Sequence, residues 1–118
     1  MDSAHQTLSK TGVTGTTTAT NTAVVTIDTR GCGPQGKLLI LISNLSGSDT
    51  MYYQINGYPS DESRGSNGGL YVGVKAQTSI AASTQVISTD VDKNYAAVVI
   101  LVQNNSGACN YQIDYSTY

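Results

Sequence analysis

Two stretches of the chain read ILISNLSG at residues 40–47 and ILVQNNSG at residues 100–107, and they precede YQIN at 53–56 and YQID at 111–114. Each unit combines an apolar strand, a turn rich in Asn, Ser and Gly, and a strand that contains tyrosine. We interpret each unit as a β-hairpin, because two strand-like segments separated by such turn residues are typical of hairpins. Two origins are open: a duplicated hairpin that makes the domain pseudo-symmetric, or two independent hairpins with the same turn chemistry.

Apolar side chains occupy both faces of two predicted strands, at residues 37–44 and 95–102. The predicted strand at 22–29 instead alternates apolar and polar residues, as strands with one face in water do. In a small sandwich each sheet has one wet face, so a second apolar face needs a cover from a loop, a terminal arm or a neighbouring subunit.

Segments rich in Val, Ile, Thr and Tyr indicate strands throughout the chain, and no segment has a convincing helical period. The predicted strands lie near 3–10, 22–29, 37–44, 50–57, 70–76, 84–88, 95–102 and 110–117. A short helical turn at 78–83 is an alternative for that segment. The pattern predicts an all-β fold, an antiparallel β-sandwich of about eight strands with Greek-key or jelly-roll-like topology. We expect residues 1–21 to form a polar Thr/Gly-rich arm or an edge strand, and residues 22–118 to form a single sandwich domain.

Charge is scarce: only 12% of the 118 residues are charged, and six basic against eight acidic side chains give a net charge of −2. This balance disfavours nucleic acid as a partner, because nucleic-acid binding depends on basic patches. Membrane insertion is also disfavoured, because no apolar run approaches the ~18 residues of a spanning helix. The N-terminus lacks the basic and apolar regions of a signal peptide, so we expect synthesis in a cytoplasm or release from a precursor.

The two cysteines, Cys32 and Cys109, are far apart in loop-like stretches. A disulfide between them is one alternative, and two free thiols are the other, which cytoplasmic synthesis favours. Neither cysteine belongs to a Cys-x-x-Cys pair, and His5 is the only histidine. We therefore expect no zinc site and no cofactor.

Three motifs suggest ligand chemistry, but their neighbouring residues argue against it. Residues 31–37 match phosphate-loop patterns, yet Leu38 replaces the magnesium-binding hydroxyl and a strand follows where a helix is needed. Residues 90–94 resemble the start of a calcium loop that lacks the required Gly and Glu further on. The acidic and basic residues at 61–64 lie in a long polar loop and favour solvation or partner contact over catalysis.

The eight tyrosines fall into two groups of four along the chain, at positions 52–71 and 95–118. Tyrosine fills cores that lack Phe and Trp, packs at subunit contacts, and stacks on ligands such as sugars, and all three roles are open here. The residues that we expect to make subunit or ligand contacts are Tyr52, Tyr58, Arg64, Tyr71, Tyr115 and Tyr118.

The chain resembles small virion proteins of tailed phages, in particular head decoration (cement) proteins and short head or tail fibre modules. The residues that carry the resemblance are the Thr/Gly-rich N-terminal segment, YQINGY at 53–58, the strand at 95–102 and YQIDY at 111–115. The resemblance implies a symmetric homo-oligomer, often a trimer, that binds a viral shell at local symmetry axes. It also implies a location in the virion and no enzymatic activity.

The leading hypothesis is therefore a structural β-sandwich that assembles with itself and with a larger capsid or fibre scaffold. Uncharged polar surfaces support it, because they pack at lower desolvation cost than charged ones. The second hypothesis is a carbohydrate- or receptor-binding module of a fibre or adhesin, with exposed tyrosines near the loop at 58–71. An enzyme is disfavoured, because the sequence shows no gathering of acids with a second polar group.

Overall fold

The structure, a computed structural model, describes residues 9–28, 38–60, 71–91, 95–105 and 108–117. Eight strands cover these residues: β1 (Ser9–Thr16), β2 (Thr22–Ile27), β3 (Leu38–Asn44), β4 (Met51–Tyr58), β5 (Val72–Ile80), β6 (Gln85–Val91), β7 (Ala97–Asn104) and β8 (Asn110–Thr117). They form two four-stranded sheets, sheet A with the order β1-β8-β3-β6 and sheet B with the order β2-β7-β4-β5. All ladders are antiparallel. The predicted eight-stranded antiparallel sandwich is confirmed.

The strand pairing is nested from the ends of the fold inwards. The first strand pairs with the eighth, the second with the seventh, the third with the sixth and the fourth with the fifth. This nesting, wrapped over two sheets, is the jelly-roll topology, so the structure decides between the two predicted alternatives.

The interpretation of the two repeated units as hairpins is wrong. β3 lies in sheet A and β4 in sheet B, while β7 lies in sheet B and β8 in sheet A. Each unit is thus an arch whose two strands face each other across the core. The two arches pair with one another, β3 with β8 and β4 with β7, and provide the central strands of both sheets. The sandwich is therefore pseudo-symmetric about its two repeated units.

The core lies between the sheets and is built mainly by the inward faces of the arches. Its buried members are Val25, Ile27, Leu38, Ile40, Ile42, Met51, Tyr53, Ile55, Ile80, Val98, Ile100, Val102, Cys109, Tyr111 and Ile113. The outward residues Ala97 and Val99 of β7 are also buried, so this strand is covered on both faces as its sequence indicates. The outward Leu39 and Leu41 of β3 are only partly covered.

A buried asparagine ends the first strand of each arch. Asn44 continues the inward alternation of β3, and its Nδ2 donates to the carbonyls of Asp49 at 2.8 Å and Ile80 at 3.0 Å. Its Oδ1 accepts the backbone N–H of Ser46 at 2.9 Å. One side chain thus satisfies three backbone groups where the chain leaves sheet A.

Asn104 occupies the equivalent place at the end of β7. Its Oδ1 accepts the Thr17 hydroxyl at 2.7 Å, and the Thr17 oxygen in turn accepts the backbone N–H of Cys109 at 2.9 Å. The backbone of Asn104 donates to the Thr18 carbonyl at 2.9 Å. These hydrogen bonds therefore connect the second arch to the segment that follows β1.

Several strand boundaries differ from the sequence analysis, and the largest differences are in β1 and β5. β1 covers residues 9–16 at the edge of sheet A, whereas the predicted first strand covers 3–10, of which 3–8 lie outside the described residues. β5 continues to Ile80, so residues 78–80 are extended and the alternative of a helical turn at 78–83 is wrong. Between β5 and β6 the turn is confined to Ala82 and Ser83.

We expect Asn44→Ala to lower the free energy of unfolding by about 1–3 kcal/mol, because it removes the amide that donates to the carbonyls of Asp49 and the buried Ile80 and accepts from Ser46. Asn105→Ala is the matched control, since Asn105 is exposed and, among the described residues, its side chain hydrogen-bonds only to the Tyr52 hydroxyl at 3.5 Å. The measurement is urea denaturation of both variants and the unmodified protein. Equal losses for the two substitutions would contradict the assigned role of Asn44.

Candidate functional site

The outer face of sheet A carries an apolar row formed by Leu39, Leu41 and Ile87. Leu41 of β3 lies directly opposite Ile87 of β6 in the ladder. Ile87 is 64% exposed and Leu39 is 36% exposed. Because these side chains alternate with the inward residues of their strands, they point away from the core and towards solvent.

Polar, mostly uncharged residues surround this apolar row. Asp114 of β8 lies opposite Leu41 on the other side of β3. The Gln112 amide donates to both oxygens of the Asp114 carboxylate, at 3.2 and 3.1 Å. Thr16 donates to Asn110 at 2.9 Å further along the same face. Apolar residues therefore form the β6 side of the face, and polar residues form the β1 side.

The apolar row extends to β6, which is an edge strand of sheet A. From Gln85 to Ser88 its register against β3 is regular, with a shift only between Leu38 and Ile40. The β5 edge of sheet B has two register shifts and carries Lys75, and both features discourage pairing with another chain. The β6 edge is thus the less protected of these two neighbouring edges.

Side-chain amides form hydrogen bonds with one another on the outer face of sheet B. Asn21 donates to Gln54 at 3.2 Å, and Gln54 donates to Asn56 at 2.9 Å. Gln77 donates to Gln103 at 2.6 Å. Lys75 is the only charged residue in the four strands of this sheet. The face is therefore rich in hydrogen-bonding groups and almost uncharged.

At one end of this face lie Asn56, Tyr58, Tyr71 and Gly73, and we call this group of residues the notch. Asn56 of β4 lies directly opposite Gly73 of β5, and a Cβ atom at Gly73 would meet nothing within 4 Å. The rings of Tyr58 and Tyr71 contact each other at the same end, with centroids 6.0 Å apart and planes inclined by 55°. Asn56 is only 4% exposed.

The structure distributes the predicted contact residues over different environments. Tyr71 is 44% exposed, Tyr58 is buried against it, and Tyr52 is half-buried on the outer face of sheet B. Tyr115 is half-buried and packs against the core. The remaining two, Arg64 and Tyr118, lie outside the described residues, and the contact roles of all six stay predictions.

Other predicted features fall partly or wholly outside the described residues. Cys109 is buried, and its Sγ lies 3.6 Å from the Asp49 carbonyl oxygen. Cys32 is not among the described residues, so a disulfide with Cys109 and two free thiols both stay open as predicted alternatives. The motif at 31–37 and the charged residues at 61–64 also lie outside them, as do residues 92–94. Within the described ranges, no three His, Cys, Asp or Glu side chains gather to hold a metal ion.

A cavity of about 260 Å³ lies between the β3–β4 and β5–β6 connections. Its lining consists of Ser43, Asn44, Leu45, Ser83, Thr84 and Gln85. Several of its polar groups are already bonded: Ser83 donates to the Ser46 carbonyl and Thr84 to the Ala81 carbonyl. Part of the hydrogen-bonding capacity of the cavity lining is therefore already used within the chain.

Sequence reasoning missed Ile87, Asn56 and Gly73. For Ile87 a signal exists, because the adjacent Val86 and Ile87 put apolar side chains on both faces of a strand. Asn56 belongs to the quoted YQIN motif, but its burial depends on tertiary packing. Gly73 gives no local signal beyond being a glycine in a strand.

The fold is shared with known proteins of low sequence identity. A chain of Bacillus endospore appendages, described as disulfide-linked pili, matches with a TM-score of 0.51 and 14% identity over 93% of this chain and 85% of that one. The Yersinia pseudotuberculosis-derived mitogen matches with a TM-score of 0.53 and 15% identity over 93% of this chain and 86% of that one. At these identities the likeness shows a common β-sandwich fold.

Sequence comparisons found no match, either to a protein-family model or to a curated protein. In the part of the chain that the structure describes, there is no helix with the length and apolarity needed to cross a membrane.

The equivalent tyrosines of the two arches, Tyr53 and Tyr111, generate a prediction about alkaline pH. Both are buried in the core, and burial raises the pKa of each phenol above its usual value of 10.0. Below pH of about 10 the phenols are protonated in the folded and unfolded chain alike, whereas above it the unfolded chain loses its protons first. We expect the free energy of unfolding to fall as the pH rises above 10 and through the folded-state pKa values.

Urea denaturation on both sides of pH 10 measures this fall, in the unmodified protein and in the Tyr53→Phe and Tyr111→Phe double variant. The double variant should retain more of its neutral-pH stability. An identical alkaline loss in the two proteins would refute the assignment.

Proposed function

We propose that the protein is a structural subunit that assembles with copies of itself into a larger ordered structure and catalyses no reaction. The observation that carries this proposal is the apolar row on the outer face of sheet A, which lies beside the exposed β6 edge.

Two physical effects favour association at this place. Burying the exposed parts of Leu39, Leu41 and Ile87 removes apolar area from water, at about 25 cal/mol per Å². An exposed edge strand offers unpaired backbone N–H and C=O groups that a strand of another copy can pair with. Burial of the apolar side chains and pairing of the backbone groups therefore both favour binding of a second copy at the β6 edge.

The geometry of the contact decides the kind of assembly. If β6 of one copy meets β6 of another, the contact is isologous and closes as a dimer. If β6 meets a different surface, such as the opposite β1 edge, the contact is heterologous and generates a ring or an open filament.

The comparison with the Bacillus appendage, whose printed description is of pili, supports self-assembly as a use of this fold. A finer form of the proposal follows from the sequence resemblance to phage decoration proteins and places the subunit on a viral shell, in the virion. The pilus and mitogen neighbours do not bear on a shell, so this finer form rests on the resemblance alone.

The test is sedimentation velocity over a range of protein concentrations, combined with electron microscopy of the concentrated sample. We expect the protein to associate and Ile87→Lys to weaken association by at least about tenfold, because the substitution places a charge where apolar area is buried. Leu45→Lys is the matched control, since Leu45 is 56% exposed but lies outside the apolar row.

Association that survives Ile87→Lys unchanged would remove the apolar row from the interface. A protein that stays monomeric at every concentration would overturn the proposal. Micrographs of rings, filaments or a lattice would show which contact geometry is used.

A further inference from the structure

We propose that the notch on the outer face of sheet B, formed by Asn56, Tyr58, Tyr71 and Gly73, binds a neutral sugar residue. The notch belongs to the opposite sheet from the apolar row, so this inference is independent of the proposed self-assembly.

The first argument is the unused hydrogen-bonding capacity of Asn56. Its Oδ1 accepts the Gln54 amide at 2.9 Å, but its Nδ2 group has no partner among the described residues. An Asn amide nitrogen carries two N–H donors, and leaving such donors buried and unpaired costs free energy. Since the side chain is 4% exposed, an acceptor that enters the notch would relieve this cost.

The second argument is the open space over Gly73. The backbone of Gly73 is not in the left-handed region, and a Cβ atom there would meet nothing within 4 Å. Neither the backbone conformation nor crowding by the described residues therefore requires a glycine. The missing side chain keeps an opening directly opposite Asn56, through which a ligand can approach the amide.

The third argument is the aromatic rim. Tyr71 is 44% exposed, and its ring is held by contact with the buried ring of Tyr58. A tyrosine ring combines an apolar face with a polar hydroxyl. A pyranose ring has matching chemistry, with C–H groups on its faces and hydroxyl groups at its edge, so it can cover the Tyr71 ring while a hydroxyl oxygen accepts from Asn56.

The scarcity of charged residues around the notch favours a neutral ligand over an ionised one. The four strands of sheet B contain no acid and a single base, Lys75, and the groups next to Asn56 form the uncharged chain from Asn21 through Gln54. An ionised ligand would find few opposite charges on these strands to offset its lost hydration. A neutral polyhydroxylated ring needs only the uncharged donors and acceptors that the face provides.

The test is titration of the isotopically labelled protein with methyl glycosides of glucose, galactose, mannose and N-acetylglucosamine, followed by NMR. We expect at least one of the four to shift the Asn56 side-chain amide and the Gly73 backbone amide in a saturable way. Gly73→Leu fills the opening, so it should abolish these shifts while leaving the spectrum folded.

Gly47→Leu is the matched control, because a Cβ atom at Gly47 also meets nothing within 4 Å and this residue lies in the β3–β4 connection, away from the notch. It should bind like the unmodified protein. Tyr71→Ala provides a second variant on an exposed residue and should weaken binding by at least about tenfold, while Tyr71→Phe keeps the ring and should retain most of it.

Three results would overturn the proposal. The first is the absence of saturable shifts with all four glycosides. The second is binding that persists unchanged in both Gly73→Leu and Tyr71→Ala. The third is a shift of the notch resonances with protein concentration alone, which would identify a second copy of the chain as the occupant.

Discussion

Where the chain passes from one sheet to the other at the edge of the apolar core, its backbone groups must keep hydrogen-bond partners. The rest of the sandwich depends on how these groups are paired. At the ends of β3 and β7 the inward alternation places an asparagine, where an apolar residue would leave backbone groups without partners. Asn44 binds two carbonyls and one N–H, and Asn104 connects to Cys109 through Thr17. Each crossing is therefore stabilised by a buried side chain rather than by solvent.

The two arches provide the central strands of both sheets. The outward-facing residues of these strands, together with the residues of the edge strands, therefore determine the chemistry of each outer face. On sheet A these are leucines next to an edge strand that carries Ile87. On sheet B they are amides and tyrosines on β4, whereas on β7 they are Ala97, Val99, Leu101 and Gln103. One fold thus presents an apolar margin on one side and an uncharged hydrogen-bonding face on the other, with few charges in the strands of either sheet.

The sequence predicted the strands well, because β3, β4, β7 and β8 are marked by alternation and by β-branched or aromatic residues. It could not distinguish an arch from a hairpin at residues 44–51 and 104–110, since both connections use the same Asn, Ser and Gly chemistry. The inward position of Asn44, two residues after Ile42, was the available clue. In the site, Tyr58 and Tyr71 were selected by residue type alone, whereas the role of Gly73 depends on what lies opposite it in a ladder that the sequence does not specify.

The nested pairing of the strands has a consequence for how the chain reaches its fold. Among the described strands, β4 and β5 are the only consecutive pair that shares a ladder. The first strand, β1, pairs with β8, which follows it by about a hundred residues. Contacts between such distant segments form slowly, because closing long loops costs entropy before any packing is gained. During synthesis on a ribosome the earlier strands of sheet A thus lack their central partner β8 until it emerges, and in that interval their unpaired edges are open to misassembly or to capture by a chaperone.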